Sequence, residues 1–222
     1  MEGRLKEGFV PVETGDKVWA QPLVHDGSVY FGSLDHKLYA VDGATGESIW
    51  NEPFETGGGI GSTPVVMDGV VYFGSFDSKF YAVDAATKEE KWVFEAENWF
   101  WSNPVYRDGI IYACSLDYKV YAIDAATGEL ASSWPGPFDA GSEIKSSPVI
   151  IDGVLVVASE IGKIYGLDVQ SGSEEWDVDL EAKVGSALFG SDGFFHVNAQ
   201  DGWLYTFDAS TGRQEWKVKL IE

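Results

Sequence analysis

The sequence predicts an all-β protein, a β-propeller of five four-stranded antiparallel blades, and three observations carry that prediction. Asp-Gly recurs at Asp26, Asp68, Asp108, Asp152 and Asp192, at intervals of 42, 40, 44 and 40 residues. A Tyr-x-x-Asp block running on to a tryptophan follows in the same register, placing Asp42, Asp84, Asp124, Asp168 and Asp208 at those same intervals. The segments between the two markers are short β-branched and aromatic runs, with no helical stretch of useful length. Two markers in one register define an internal repeat rather than a coincidence of composition.

Each unit is legible element by element. Strand A is an apolar run such as "TPVVM", closed by the Asp-Gly turn. Strand B follows as "SVYFGS", "VVYFGS", "IIYACS" or "VLVVAS", bounded by a polar turn. Strand C is "KFYAVD" or a relative, and an Asp-x-x-Thr-Gly turn leads to strand D with its tryptophan. Glycine supplies positive φ at the turns, where Asp and Thr side chains bond local amides. A four-stranded sheet apolar on both faces cannot bury itself, so consecutive units of about 40 residues must stack as blades around an axis. The chain, 1–222, is one propeller domain: an orphan strand D and lead-in at 8–20, then blades at 21–62, 63–102, 103–146, 147–186 and 187–222.

Composition sets the limits on partners and chemistry. With 15 Lys plus Arg against 36 Asp plus Glu, the net charge is −21, which repels nucleic acid phosphates and anionic lipid headgroups. Neither is an expected partner. The start, "MEGRLKEGFV", lacks an apolar stretch of signal-peptide length, and no run approaches 18 apolar residues, so the chain as written is expected to be soluble, without membrane insertion. The one cysteine, Cys114, excludes an internal disulfide and any two-thiolate site, and replaces the glycine of "FGS" as a small buried residue rather than a nucleophile. His25, His36 and His196 fall in an A–B turn, a B–C turn and a strand B, unpaired, so no metal site and no catalytic residue is expected.

The blocks "AVDGATGESIW", "AVDAATKEEKW", "AIDAATGELASSW", "GLDVQSGSEEW" and "TFDASTGRQEW" resemble the Ala-x-Asp-x-x-Thr-Gly-x-x-x-Trp signature of PQQ-like repeats. These are the blades of quinoprotein dehydrogenases and of non-catalytic propellers such as the outer-membrane assembly lipoprotein. The resemblance implies that Trp50, Trp92, Trp134, Trp176 and Trp216 dock onto the turn of a neighbouring blade. It departs from the pattern at Lys88, in place of the turn glycine, and at Ser171, in place of the threonine. It also implies a periplasmic, cell-surface or membrane-anchored setting if the natural gene extends upstream. A quinoprotein dehydrogenase would carry an adjacent cysteine pair, a metal held by carboxylates and Asn, and eight blades. The single cysteine and five repeats argue against that reading, so no cofactor is expected, with PQQ plus calcium as the alternative.

Aligning the copies on Pro22, Pro64, Pro104 and Pro148 exposes what exceeds the repeat. In "EAENWFWSNP", Phe100 shares a column with Val18, Ile60, Ile144 and Val184 and is core. Trp101 shares one with Trp19, Gly61, Lys145 and Gly185, and Trp99 one with Lys17, Gly59, Glu143 and Lys183. These variable, often charged columns face solvent on the D–A loops, which share a face with the B–C turns. The B–C turns carry Asp35, Asp77, Asp117 and Asp201, with Lys37, Lys79, Lys119 and Lys163 two residues on as weak exposed ion pairs; only Ile161 and Trp203 break the series. The expected binding set is Trp19, Trp99, Trp101, Gly59, Gly61, Lys145, Lys183 and Trp203, with Trp19 and Trp101 walling a depression whose glycine floor is bare. The function expected is a non-catalytic scaffold for a protein or peptide partner. A quinone redox protein and a carbohydrate-binding propeller are the competing classes. The five blades are expected to form an open arc, a section of a seven- or eight-bladed ring, able to self-associate through its open ends.

Overall fold

The computed structural model describes residues 10–220. Its elements follow directly from the turn chemistry. Asp26 and Gly27 both take positive φ, 47° and 79°, and the Asp-Gly pairs at 68, 108, 152 and 192 do the same. Two consecutive positive-φ residues are the hairpin turn whose twist matches that of the flanking strands. Strands A and B are therefore joined by two-residue loops, as in the pairing of His25 with Ser28.

Blade 1 consists of β1 (Leu23–His25), β2 (Ser28–Gly32), β3 (Lys37–Asp42) and β4 (Phe54–Glu55). Blade 2 consists of β5 (Val65–Met67), β6 (Val70–Gly74), β7 (Lys79–Asp84) and β8 (Glu90–Glu95). Blade 3 is formed by β9 (Val105–Arg107), β10 (Ile110–Cys114), β11 (Lys119–Asp124) and β12 (Phe138–Asp139). In blade 4 the strands are β13 (Val149–Ile151), β14 (Val154–Ala158), β15 (Lys163–Asp168) and β16 (Glu174–Asp179). Blade 5 is β17 (Phe189–Ser191), β18 (Phe194–Asn198), β19 (Trp203–Asp208) and β20 (Gln214–Lys219). Each sheet is a four-stranded antiparallel meander, and the expected fold class holds.

Several expectations need correction. Strand D is continuous through its tryptophan only in β8, β16 and β20; β4 and β12 are two residues long. Pro53 in blade 1, and Pro135 and Pro137 in blade 3, withhold the N–H groups that would extend the ladder, so Trp50 and Trp134 lie outside strands. His25 ends β1 rather than lying in the turn. Of the orphan strand D, residues 8 and 9 fall outside the described residues, and 10–20 form no strand, although Val10 N–H donates to Thr45 O at 2.9 Å. Lys88 takes the glycine role at φ 65° and still donates to Asp84 O, while Ser171 Oγ bonds Asp168, so both departures from the repeat keep the same turn.

The core lies between sheets. Four buried clusters join blade 1 to 2, 2 to 3, 3 to 4 and 4 to 5, each built from alternate residues of facing sheets. Among the described residues no such cluster joins blade 5 to blade 1. A closed ring of five needs a fifth junction, so the blades form an open section.

Candidate functional site

The variable face is held together by one repeated device. In four blades a B–C turn carboxylate accepts the phenol of the tyrosine four residues on: Asp35 from Tyr39, Asp77 from Tyr81, Asp117 from Tyr121 and Asp201 from Tyr205, at 2.5–2.7 Å. Three of these carboxylates also accept an N–H of the preceding D–A loop, from Gly15, Gly57 and Glu97. The loop is thus clamped onto the turn. Burial first, then donation to aspartate, pushes Tyr39 and Tyr205 up to about 12 and raises Tyr81 and Tyr121 as well. The lysines two residues after Asp35, Asp77 and Asp117 pair elsewhere, Lys37 with Glu55, Lys79 with Glu95 and Lys119 with Glu97, and Lys163, whose turn carries Ile161, pairs with Asp177. In Asp77 and Asp117 one oxygen accepts the phenol and loop amide and the other the lysine's own backbone N–H, while Asp35 Oδ1 is buried and without a partner; the ammonium groups reach nearby strand D and loop acids instead. Ile161 cannot accept, and Tyr165 donates instead to Ala140 O at 3.0 Å.

On this clamped frame the aromatics converge. Trp19 and Trp101 meet edge to face with centroids 5.5 Å apart. Phe76, from the B–C turn of blade 2, lies nearly parallel to Trp99 at 5.0 Å and to Trp101 at 5.1 Å. Trp19 is 62% exposed and Trp99 44%, while Phe76 and Trp101 are half-buried. Phe100, pointing the other way from the same loop, is buried against Phe80 and Tyr121.

The depression with a bare glycine floor is not what forms. Its two walls touch, and Phe76 occupies the floor. A Cβ on half-buried Gly61 would stand 2.5 Å from Phe76 Cζ, and buried Gly59 closes on Leu34 and Phe76. The glycines make room for the phenylalanine ring, producing a continuous aromatic surface. Phe76 is the residue that motif reading missed. Its signal was the B–C column Leu34, Phe76, Leu116, Glu160 and Gln200, which varies as strongly as the D–A loops.

The remaining expected residues lie apart from this cluster. Lys145 bonds both Glu143 and Glu160 at 2.9 Å, and Lys183 reaches Glu160 at 3.4 Å. Lys145 is raised by Glu143 and then Glu160, and Glu160 is lowered mainly by Lys145. These are mutually neutralised surface charges. Trp203 sits half-buried beneath the Lys217 ammonium, 4.7 Å from its ring centroid. Among the described residues no group of three or more His, Cys, Asp or Glu converges to hold a metal.

The comparisons bear on this geometry. The family model described as outer membrane protein assembly factor BamB matches residues 34–135 and 131–221. The chain belongs to this family. The BamB crystal structure from Moraxella catarrhalis is similar at a TM-score of 0.78 and 17% identity, over 93% of this chain and 66% of that one. A computationally designed protein, Ika8, is similar at 0.79 and 18% identity, over 90% of this chain and 61% of that one. The chain spans less than two thirds of either, and at such identity these likenesses are of fold alone. No curated protein sequence matches significantly.

Within this PQQ-like propeller, the repeated tryptophans make a uniform contact. Trp50, Trp92, Trp134 and Trp176 donate Nε1–H to the carbonyls of Ala85, Ala125, Val169 and Ala209, each on the next blade's C–D turn, at 3.0–3.2 Å. Trp216 differs from the expectation stated for it. It is 46% exposed, beside His196, because no further turn follows it among the described residues.

Proposed function

We propose that the protein is a non-catalytic scaffold that binds a protein or peptide partner through the loop face carrying Trp19, Phe76, Trp99 and Trp101. One observation carries this: four aromatic rings from three separate segments stack into one surface that remains partly open to solvent. Packing of the blades does not require it, because glycine or lysine fills the same loop columns in other blades. Pre-stacked indoles lose little conformational freedom on binding, and Trp is enriched at interface hot spots. The family description names an outer membrane protein assembly factor, which supports a protein partner. It also supports an envelope setting for this chain.

The test is affinity capture from a bacterial envelope extract with the wild type and a Trp19→Ala/Trp99→Ala variant. A protein retained by the wild type and weakened by about 30-fold or more in the variant, roughly 2 kcal/mol for the pair of substitutions, supports the reading. Equal retention by both overturns it. Stoichiometric uptake of PQQ with calcium, followed by absorbance, overturns it in favour of a quinone protein.

A further inference from the structure

We propose, resting on the loop-face reading above, that the segment bound there is basic, with a lysine or arginine side chain of the partner lying over the open face of the Trp99 indole. Phe76 covers one face of that indole, with centroids 5.0 Å apart and planes 18° from parallel. The Trp99 side chain nevertheless stays 44% exposed, so its other face is open. Trp99 is on the loop joining blades 2 and 3, so this exposure does not arise at either end of the chain.

The charge around the rings is negative and uncompensated. Asp35, Asp77 and Asp117 are held by phenols and backbone amides, which are neutral donors, so each clamp keeps a full carboxylate charge. Their lysine neighbours are engaged elsewhere, on Glu55, Glu95 and Glu97. Asp77 follows Phe76 directly in the chain, and Asp117 accepts the N–H of Glu97, two residues before Trp99. Glu13 and Asp16 add exposed charge on the loop that carries Trp19, against Lys17 alone. In contrast, Glu143, Lys145, Glu160 and Lys183 cancel one another on the loops towards blade 4 and beyond. A cation is therefore drawn to the aromatic half of the face, and the net charge of −21 favours a basic partner at longer range.

The chain makes the same kind of contact within itself. The Lys217 ammonium stands 4.7 Å from the centroid of Trp203 and 5.4 Å from that of Tyr205, rings two and four residues after the clamped Asp201. Rings beside clamped aspartates recur at Phe76 and Trp99, where among the described residues no lysine or arginine lies over them. The face of an indole attracts a cation through its quadrupole, more strongly than tyrosine or phenylalanine does. Stacking on Phe76 already holds the Trp99 ring in place, so little side-chain freedom is lost on binding. An acidic segment is repelled by the same carboxylates, and a purely apolar one covers them without supplying an opposite charge.

Capped Gly-Ser peptides of one length, carrying lysines, norleucines or glutamates at the same positions, test this by calorimetric titration of the full chain. The lysine peptide is expected to bind about 10-fold or more tightly than the norleucine peptide at low salt and to weaken as salt is raised, and the glutamate peptide not to bind. Trp99→Leu keeps apolar bulk but removes the π face; it is expected to weaken the lysine peptide by about 3-fold or more and to leave the norleucine peptide unchanged. Trp99→Phe is expected to fall between the two, and near-UV circular dichroism checks that both variants are folded. Asp68→Asn/Asp152→Asn removes charge from the opposite face, at turns whose positive φ asparagine also adopts, and is expected to leave the lysine peptide nearly unaffected. No binding of the lysine peptide, equal binding of the lysine and norleucine peptides, or unchanged lysine affinity in Trp99→Leu overturns the proposal. So does a loss in Asp68→Asn/Asp152→Asn as large as in Trp99→Leu, which would reduce the attraction to overall charge. Capture of a partner that depends on Trp19 and Trp99 yet does not weaken with salt overturns the basic segment and leaves the loop-face reading standing, whereas equal capture by wild type and Trp19→Ala/Trp99→Ala removes both.

Discussion

Replacing Gly172 by alanine tests the physical basis of the blade junction. Gly172 has φ 70°, and an added Cβ would lie 2.5 Å from Cδ2 of Trp134. Three costs follow. A side chain in the left-handed region costs about 1–2 kcal/mol. Displacing a buried ring in a packed junction costs about 1–3 kcal/mol. Moving the indole breaks its bond to Val169 O, 3.2 Å long and buried, which costs about 1–3 kcal/mol when the partners are left unsatisfied. These costs overlap, and a loss of about 3–4 kcal/mol is expected. Gly153→Ala is the control: its φ is 92°, and nothing lies within 4 Å of an added Cβ, so only the backbone term of about 1–2 kcal/mol applies. Urea unfolding followed by tryptophan fluorescence compares the two variants. Equal destabilisation would refute the reasoning, since it would mean that the turn needs glycine for φ alone and that the indole contributes nothing there.

Three further outcomes are expected. Phe76→Ala should remove the stacking with Trp99 and Trp101, costing about 2–3 kcal/mol and altering near-UV circular dichroism; an unchanged spectrum would mean that the stack does not form in solution. Tyr39 and Tyr205 are held up to about 12 by burial and by donation to aspartate, against an ordinary 10. Between pH 10 and 12 the unfolded chain therefore releases phenolic protons that the folded chain keeps, so stability should fall as pH rises through that window, as followed by denaturant midpoints and phenolate absorbance. Cys114 is buried and its thiol is pushed up to about 12 by that burial, so it should resist a disulfide reagent in the native protein and react once unfolded.

The repeat, its strand order and its turns were legible in the sequence because each depends on local chemistry. Asp-Gly specifies a hairpin whose two positive φ angles are intrinsic to those residues, and the Asp42 turn is capped by its own Thr45. The aromatic excess at Trp19, Trp99 and Trp101 was legible for a related reason: repeats make deviation visible. The part played by Phe76 was not, because it belongs to a different turn and meets Trp99 and Trp101 only when the blade folds. The fate of each turn lysine was equally hidden. Whether Lys79 pairs with Asp77 or Glu95 depends on Tyr81 already occupying the aspartate, a cross-strand matter. Local backbone preferences are written residue by residue and so determined the blades. Which side chains share one surface, and which tryptophan finds an acceptor in the next blade, depends on residues 20–57 positions apart brought together by stacking, and only the tertiary structure decided that.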